Sequence, residues 1–574
     1  MVVTTPGTAE KGNKSRGCFR WAVVAVVVLL CASPTSVDGQ GLELSTADRI
    51  AMLYAPHLSF TRDGDPLIRL GILEGRDAVT FTPSERIRVL PQGAGGPEIE
   101  LPGGREYRVT MTDGQAGSYR HWVVVDRLAV DQRGRLPEIR EVWEERGLEP
   151  ETFEVGGLFA IRGQVFDSRS ILVAVDGTDS MARAQRRRRE LEARFGIAGS
   201  IHGERLSYPS GKLTLSGGGL EVEITHRDVL WVTSRSGREE NISYEIPGIP
   251  GSYGGPEETR RYAGELIFAP DKDGKIAVIN NLGAERVLKG TVPSEIFASS
   301  PPAALQAQAI AARNYIFASI GVRNLADPYM LRADVYDQVY GGIGREDPRT
   351  SAAVDATRGQ VMLDGNRIVV ASYSSNAGGF TENNENVWDA EQQDHLRGRI
   401  DLPRGNAPAQ FRGGITEENL GAFLDADFPA PSKTAEVSSA NFYRWTRTVD
   451  ASVPRQWLRE RGEDVGAIRD VEILSRGVSG RVVRLRVVGD RGEALVEREL
   501  NARRLFGGLR SGLFQMEIRR NANGTVREFR FRGAGFGHGV GMCQTGAIGM
   551  AAQGFEAAEI LTHYYQGVEV RTLY

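Results

Sequence analysis

The chain has 574 residues, of which 41% are hydrophobic and 25% are charged, as in an ordinary globular protein with room for two or three domains. Its formal net charge of -4 creates no overall basic field, so we expect no nucleic-acid partner. The 69 glycines indicate frequent turns and β structure.

The first 39 residues carry the pattern of an export signal. Lys11, Lys14, Arg16 and Arg20 form a basic region ahead of the apolar run Trp21–Leu30, which is too short for a spanning helix. We interpret residues 1–39 as a signal peptide cleaved within Ser33–Gly39, with an uncleaved signal anchor as the alternative. We therefore expect an exported protein, in the periplasm, the cell envelope or outside the cell, with no stable membrane span after cleavage.

Cysteine usage limits the covalent chemistry of the mature chain. Cys18 and Cys31 lie in or beside the signal, so Cys543 is the one thiol that remains after cleavage. This excludes an internal disulfide and a cysteine-rich metal site.

Residues 40–250 are predicted to be β-rich, beginning with strands at Pro66–Leu73 and Ala78–Phe81. The pattern changes over residues 107–197, where strands alternate with helices at Pro137–Arg146 and Asp179–Phe195. We interpret this part as a small inserted α+β module, which weakly resembles the peptidoglycan-binding SPOR module. The run Arg186–Arg189 is explained by a solvated helix face, or alternatively by contact with an anionic wall polymer.

A Gly- and Pro-rich segment at Gly248–Glu257 precedes a long region, residues 260–574. Patterning there predicts both element types, so the overall fold class is α+β, with mixed sheets and a few helices. The predicted strands are Gly264–Phe268, Ile276–Asn280, Val361–Leu363, Ile368–Ser374, Val482–Val488 and Val526–Phe531. The predicted helices are Pro302–Ile320, Thr416–Phe423, Thr545–Gln553 and Ala557–Tyr565.

The segment Val287–Gly321 places one carboxylate, Glu295, in a Pro-Ser-flanked loop just ahead of an alanine-rich helix. Gln306 and Arg313 are two helical turns apart on that helix, so they share a face that could look toward Glu295. An acid before a rigid helix is a plausible proton-transfer site. The alternative is an exposed loop glutamate, with Arg313 paired elsewhere.

A second segment, Ile368–Ala390, delivers hydroxyl and amide groups to a glycine turn and then an aromatic ring. It includes Tyr373, Ser374, Ser375, Thr381 and Trp388. Such a set suits sugar binding, because rings stack on aromatic faces and sugar hydroxyls form hydrogen bonds. The alternative is a polar loop with a buried tryptophan.

A third segment, Gly533–Gly549, has glycines at alternate positions. It is not the dinucleotide-binding fingerprint, because Val540 stands where that pattern needs glycine. His538 could contact substrate or transfer protons, or it could be a histidine of the core or of a turn. Cys543 could pair with a histidine as a nucleophile, although a buried thiol is the commoner case.

Together these motifs resemble the SpoIID/LytB family, the stage II sporulation protein D and amidase-enhancer group, over about residues 260–574. The matching stretches, in chain order, are Val287–Ile296 with its P-S-E, Ala304–Tyr315, the Q-V-Y-G of Gln338–Gly341, Tyr373–Glu382 with Val387-Trp388, Gly535–Ala547 and Ile560–Gly567.

The resemblance implies a peptidoglycan lytic transglycosylase that cleaves peptide-stripped glycan strands, with Glu295 as the single catalytic acid/base. It implies substrate-binding roles for Gln306, Arg313, Tyr373, Ser374, Ser375, Thr381, His538 and Gln544. One alternative is a non-catalytic protein that binds the cell wall and enhances a cell-wall amidase. Its partners would then be the peptidoglycan glycan strands and that amidase. Another is a hydrolytic glycosidase with Asp334, Asp337 or Glu385 as a second carboxylate.

The chain departs from the family pattern at several positions. Some members bind zinc through a Cys/His cluster before Q-V-Y, but Leu331–Asp337 contains neither residue type, so we expect no metal and no cofactor. Gln306 stands in place of a family lysine, which removes a positive charge from the presumed groove, and Cys543 replaces a serine.

Overall fold

The computed structural model describes residues 46–91, 98–197, 199–221, 223–235, 242–251, 255–388, 390–404, 407–427, 429–435 and 440–574. The predicted signal peptide lies outside these residues. The described chain is rich in strands and has fewer helices, so the predicted mixed α+β class is confirmed. No helix in the described ranges is long and apolar enough to cross a membrane.

The N-terminal elements alternate strands with a helical module. They are α1 (Thr46–Tyr54), β1 (Leu67–Arg76), β2 (Ala78–Pro83), β3 (Ile87–Leu90), β4 (Ile99–Leu101), β5 (Tyr107–Gln115), β6 (Ser118–Ala129), α2 (Leu136–Glu145), β7 (Glu151–Val155), β8 (Leu158–Ile161), β9 (Gln164–Asp167), β10 (Ser170–Thr178), α3 (Met181–Phe195) and β11 (Ser200–Ser207). Strands continue as β12 (Ser210–Gly217), β13 (Ile224–Arg227), β14 (Leu230–Ser234), β15 (Tyr244–Ile249), β16 (Glu258–Tyr262), β17 (Glu265–Pro270) and β18 (Ile276–Gly283).

The C-terminal elements begin with the two helices of the first motif. They are α4 (Ala284–Glu295), α5 (Pro302–Ser319), β19 (Leu331–Arg332), α6 (Pro348–Ala356), β20 (Gln360–Asp364), β21 (Arg367–Ile368) and β22 (Tyr373–Ser374). Next come α7 (Leu420–Asp425), α8 (Pro431–Thr434), α9 (Ala440–Tyr443), β23 (Arg444–Asp450), α10 (Ser452–Arg459), β24 (Ile468–Arg476), β25 (Val482–Gly489), β26 (Glu493–Glu497), α11 (Glu499–Leu505), β27 (Phe514–Arg520) and β28 (Val526–Ala534). The last are β29 (Met542–Cys543), α12 (Gln544–Ala552), α13 (Ala557–Tyr564) and β30 (Glu569–Thr572).

Two large sheets build the central core. One has seven strands in the order β19-β1-β18-β17-β14-β3-β4, and the other has six in the order β13-β12-β5-β2-β15-β16. They meet through aromatic rings such as Phe81 and Phe268, whose centroids are 5.5 Å apart. Strands from both sides of residues 250–260 share the first sheet and one apolar core, so the division there stays a prediction rather than a visible break.

The inserted module runs from β6 to β11. Its four strands form an antiparallel sheet in the order β11-β6-β10-β7, and α2 and α3 pack on the face that carries Val123 and Val173. The strands of this sheet and its two helices follow the order β-α-β-β-α-β, in which β11 extends the predicted alternation of strands and helices. The module begins at β6 because β5 pairs with β2 and β12 in the six-stranded sheet.

A second inserted region separates β22 from β29. Its strands β23–β28 form two three-stranded sheets around an apolar core of their own, which includes Phe506, Phe514 and Phe531. Because this region leaves and returns to the central core, β22 pairs in parallel with β29, and Tyr373 lies opposite Met542. Sequence patterning predicted strands here but not their separate core.

A buried ion pair joins the helices of the first motif to the C-terminus. Arg313 is fully buried on α5, and its Nε and Nη2 atoms donate to Glu285 on α4 at 2.8 and 2.6 Å. Arg313 also donates to the carbonyl oxygen of Gln360, and the Tyr574 hydroxyl donates to Glu285 at 2.6 Å. The pair thereby connects α4, α5, β20 and the chain end.

We expect Arg313→Met to destabilise the protein by about 3–5 kcal/mol, because it leaves the buried Glu285 carboxylate without its cation. Urea unfolding at neutral pH measures the change. The matched control is Arg133→Met, whose exposed pair with Glu154 contributes less than about 1 kcal/mol. Equal effects of the two substitutions would contradict this account of the buried pair.

Candidate functional site

Glu295 is the last residue of α4, and not a loop residue as predicted. Proline usually interrupts a helix, but Pro293 lies within the final turn of α4, which continues to Glu295. Buried side chains such as Val292 pack this end of the helix against the core. Ser294 Oγ donates to the Gly290 carbonyl at 2.9 Å. The acid is therefore carried by a rigid element.

The Glu295 side chain is half-buried and has no cationic partner among the described residues. Its Oε1 atom accepts one hydrogen bond, from the Val339 backbone N–H at 2.9 Å. Burial raises the pKa of Glu295 to about 7, and the Val339 hydrogen bond opposes that rise. Near neutral pH this carboxyl group is therefore divided between its acid and base forms, as a group that both gives and takes a proton requires.

One face of α5 lines the Glu295 side of the site. Gln308, Ala312 and Tyr315 follow each other at four- and three-residue steps, so they share that face. The Gln544 side-chain amide donates to Gln308 Oε1 at 3.2 Å and to the Glu295 backbone carbonyl at 2.8 Å. Gln544, predicted from the third motif, thus lies directly beside the acid.

Tyr373 is the second predicted residue that the structure brings to Glu295. Burial and then the Glu295 carboxylate raise the pKa of Tyr373 well above its ordinary value, so the phenol keeps its proton. Gln338 holds the ring in place, because its side-chain amide donates to Tyr373 Oη at 3.1 Å and to the Ala312 carbonyl at 3.2 Å.

His538 contacts the Tyr373 backbone and not the Glu295 carboxyl group. Its Nδ1 accepts from the Val540 N–H at 3.0 Å, its ring packs 4.8 Å from that of Trp388, and it is hydrogen-bonded to the Tyr373 backbone. Burial, with Arg503 and Arg481 nearby, lowers the pKa of His538 to about 3. The imidazole is therefore neutral and unsuited to proton transfer near pH 7.

The prediction that Arg313 contacts substrate is wrong, because its side chain is fully buried against Glu285. Glu285 and Glu295 are ten residues apart on α4, which corresponds to about 15 Å. Gln306 shares the Arg313 face as predicted, but that face is about 150° around α5 from Gln308. Gln306 is half-buried there, and the structure does not bring it to Glu295.

The small hydroxyl residues of the second motif have structural contacts. Ser374 is buried and its Oγ accepts from the Gly539 N–H at 3.2 Å. Thr381 is also buried and exchanges hydrogen bonds with the backbone of Arg399, so direct substrate contact by either side chain is contradicted. Ser375 is half-buried, and its carbonyl accepts from the Thr545 N–H and hydroxyl.

Cys543 is buried at the start of α12, where its sulfur accepts from the N–H groups of Ala377 and Gly546. Burial raises the pKa of this thiol to about 12, so a Cys-His nucleophile is excluded. No three His, Cys, Asp or Glu side chains within the described ranges are arranged to hold a metal ion.

Sequence analysis missed Gln308, Tyr315, Gln338 and Val339 as site residues. The Q-V-Y-G motif was part of the quoted pattern and could have drawn attention to Gln338 and Val339. The helical spacing of Gln308 and Tyr315 is the same as that of Gln306 and Arg313, so spacing alone could not choose between the two faces.

Two family comparisons match adjacent parts of the chain. The stage II sporulation protein family, SpoIID, matches residues 272–363, which include α4, α5 and the Q-V-Y-G motif. A domain of unknown function, DUF8618, matches residues 382–541, which include β23–β28.

Curated relatives match the C-terminal half at low identity. The chain is 26% identical over 309 residues to an uncharacterized protein of Brachyspira hyodysenteriae, covering 54% of this chain and 72% of that protein. It is 26% identical over 306 residues to the stage II sporulation protein D of Bacillus amyloliquefaciens, covering 51% and 75%. The predicted resemblance to the SpoIID/LytB family is thereby confirmed. The family's amidase enhancer from Bacillus subtilis is 26% identical over 298 residues, a match that covers 49% of this chain and only 39% of the enhancer.

The DUF8618 region holds the SpoIID/LytB motif loops through buried polar contacts. Arg481, fully buried, donates to the carbonyl oxygens of Ala377 and Phe380 at 3.1 and 3.0 Å. Ser479 donates its hydroxyl to Glu382 at 2.5 Å. A Cβ at Gly539 would lie 2.3 Å from Arg481, so the backbone beside His538 passes directly over this guanidinium.

We expect Glu295→Gln to remove a pH-dependent loss of stability. The folded protein holds the Glu295 proton up to about pH 7, whereas the unfolded chain releases it near 4.5, so stability falls as pH rises between these values. Relative to wild type, the variant should gain up to about 3 kcal/mol between pH 4 and pH 8. Urea unfolding across this range measures the difference.

The control is Glu145→Gln at the exposed end of α2, a surface substitution that should change stability by less than about 0.5 kcal/mol. A Glu295→Gln difference from wild type that does not change with pH would show that the Glu295 carboxyl group titrates at its ordinary pKa in the folded protein.

Proposed function

We propose that the protein is an exported lytic transglycosylase that cleaves peptidoglycan glycan strands, with Glu295 as its single acid/base. The observation that carries this proposal is the half-buried Glu295 carboxyl group, whose pKa of about 7 results from burial without a cationic partner among the described residues. The similarity to the SpoIID/LytB family supports the substrate class. The substrate is peptide-stripped glycan, as the family resemblance implies.

The other candidate carboxylates support a one-acid mechanism. Hydrolytic glycosidases use two carboxyl groups about 5–9.5 Å apart, one of which must act on water or on the sugar. Asp334 is paired with Arg332 at 2.9 Å, and Glu385 is paired with Arg397 at 2.6 Å. Asp337 is paired with Arg323 at 2.5 Å and also accepts from Asn324 and from the Arg332 N–H, so its oxygens are occupied.

In the proposed reaction, protonated Glu295 gives its proton to the glycosidic oxygen as the bond from that oxygen to C1 of the muramic sugar breaks. The C6 hydroxyl oxygen of the same sugar then bonds to C1, and the Glu295 carboxylate takes the proton from that hydroxyl. The products are a 1,6-anhydro-muramic end and a free hydroxyl on the leaving sugar. Glu295 is returned to its protonated form, and no water is consumed.

Tyr373 and Gln544 are the residues best placed to assist proton transfer by Glu295. The Tyr373 oxygen accepts from Gln338, and its proton has no acceptor among the described residues, so it can donate to a sugar oxygen near Glu295. Gln544 fixes the Glu295 backbone through its carbonyl. We therefore assign Tyr373 to substrate contact and Gln544 to positioning of the acid.

A second candidate function is enhancement of a cell-wall amidase without glycan cleavage. It is favoured by the similarity to the amidase enhancer, of which the matched part covers 39%. This function would need binding to the wall or to the amidase, but not proton transfer by Glu295.

We expect purified wild-type protein to release 1,6-anhydro-muramic products from peptide-free glycan strands, and Glu295→Gln to lower the rate by at least about a hundredfold, since the acid is lost. Mass spectrometry of the products measures both. Glu145→Gln should act as wild type, because its side chain is exposed on α2.

Three outcomes would contradict the proposal. Full activity of Glu295→Gln would remove the acid from the mechanism. Reducing sugar ends in place of anhydro ends would indicate hydrolysis. Amidase stimulation that survives Glu295→Gln, with no anhydro products from wild type, would favour the enhancer.

A further inference from the structure

Two exposed aromatic residues lie close in the chain to Glu295 and to Val339, the residue that donates to its carboxyl group. Phe297, two residues after the acid, is 56% exposed, and Tyr336, three residues before Val339, is 65% exposed. Val335, the chain neighbour of Tyr336, is 51% exposed. Large apolar side chains grouped at one place on a surface are a feature of binding sites, since water solvates them poorly.

The Tyr336 backbone is fixed on both sides. Its N–H donates to Asp334 Oδ1 at 2.9 Å, and its carbonyl accepts from Arg323 Nη2 at 2.9 Å. The Arg332 guanidinium lies 5.1 Å from the Tyr336 ring centroid and holds the ring by a cation–π contact. The exposed area of Tyr336 therefore belongs to a ring whose position is set before any ligand binds.

Phe297 is likewise held by its backbone. Its carbonyl accepts from the Ser300 N–H at 2.9 Å in the turn between α4 and α5, while the side chain remains exposed. The chain from Phe297 to Glu295 covers at most about 7 Å, and the chain from Tyr336 to Val339 at most about 11 Å. Both rings are thus close to the groups that hold the carboxyl.

We propose that Phe297 and Tyr336 form an aromatic platform on which sugar rings of the glycan strand stack, on either side of the bond that Glu295 cleaves. The inference rests on the proposed function and assigns it two substrate-positioning residues. Aromatic faces suit the apolar faces of sugar rings, while the phenol of Tyr373 serves the hydroxyl groups.

The test measures binding of peptide-free glycan strands to full-length protein in a Glu295→Gln background, where no cleavage interferes. Phe297→Ala and Tyr336→Ala should each weaken binding by about tenfold, which is the loss of one stacking contact. Phe297→Trp and Tyr336→Phe should bind as the parent does, because they keep a ring. Circular dichroism and urea unfolding confirm that each variant is folded.

The matched control is Phe60→Ala. Phe60 is 42% exposed and pairs with Pro66, whose carbonyl accepts from Ala284 at the start of α4, so it lies about 16 Å from the Glu295 end. This variant should bind glycan normally. Product analysis of the same Phe297 and Tyr336 variants with Glu295 intact should show a raised KM and an unchanged kcat.

The outcomes separate this inference from the proposed function. Unchanged glycan binding in both alanine variants overturns the platform even if wild type makes anhydro products. Loss of amidase stimulation with unchanged glycan binding also overturns it and identifies a protein-docking patch. If the alanine variants bind glycan more weakly but the wild type makes no anhydro products, the platform is supported and the proposed transglycosylase activity is rejected.

Discussion

The site depends on one constraint: the Glu295 carboxyl group is largely shielded from water, and no cation in the described part of the chain stabilises its charged form in place of water. The group ends α4, where the negative pole of the helix also disfavours a carboxylate. The hydrogen bond from Val339 opposes the effect of burial only in part. The nearest cation on α5, Arg313, is committed to Glu285 about 15 Å away along α4, so it cannot neutralise Glu295. The buried ion pair thus stabilises the helices without neutralising the Glu295 carboxylate.

The site is assembled from segments far apart in the chain. α5 presents Gln308 and Tyr315, the Q-V-Y-G segment supplies Gln338, and the parallel pairing of β22 with β29 brings Tyr373 beside the third motif. The DUF8618 region enters this arrangement through Arg481, which holds the loop after Tyr373. An insertion between two halves of a site can be tolerated when its own core is separate and its contacts with the site are specific.

Much of the fold could be predicted because its elements have strong local patterns. α5, for example, begins at Pro302 as predicted, since proline favours a first helical turn. The local pattern predicts a loop at Glu295, because proline often ends a helix. In the structure the last turn of α4 continues through Pro293, and buried neighbours such as Val292 hold it. Packing of this kind cannot be read from a local sequence pattern. Spacing correctly put Arg313 on one face, but its partner Glu285 is distant in sequence, so its burial could not be foreseen.

The most direct test of the account is the titration of the Glu295 carboxyl group itself. Protein labelled with 13C at the glutamate side-chain carboxyl carbon would be followed by NMR from pH 4 to pH 9, with Glu295→Gln identifying the resonance. We predict a midpoint at about pH 7 for this resonance. A midpoint near the ordinary value of 4.5 would contradict the account, because the carboxyl group would then be almost fully ionised at neutral pH and unable to donate a proton.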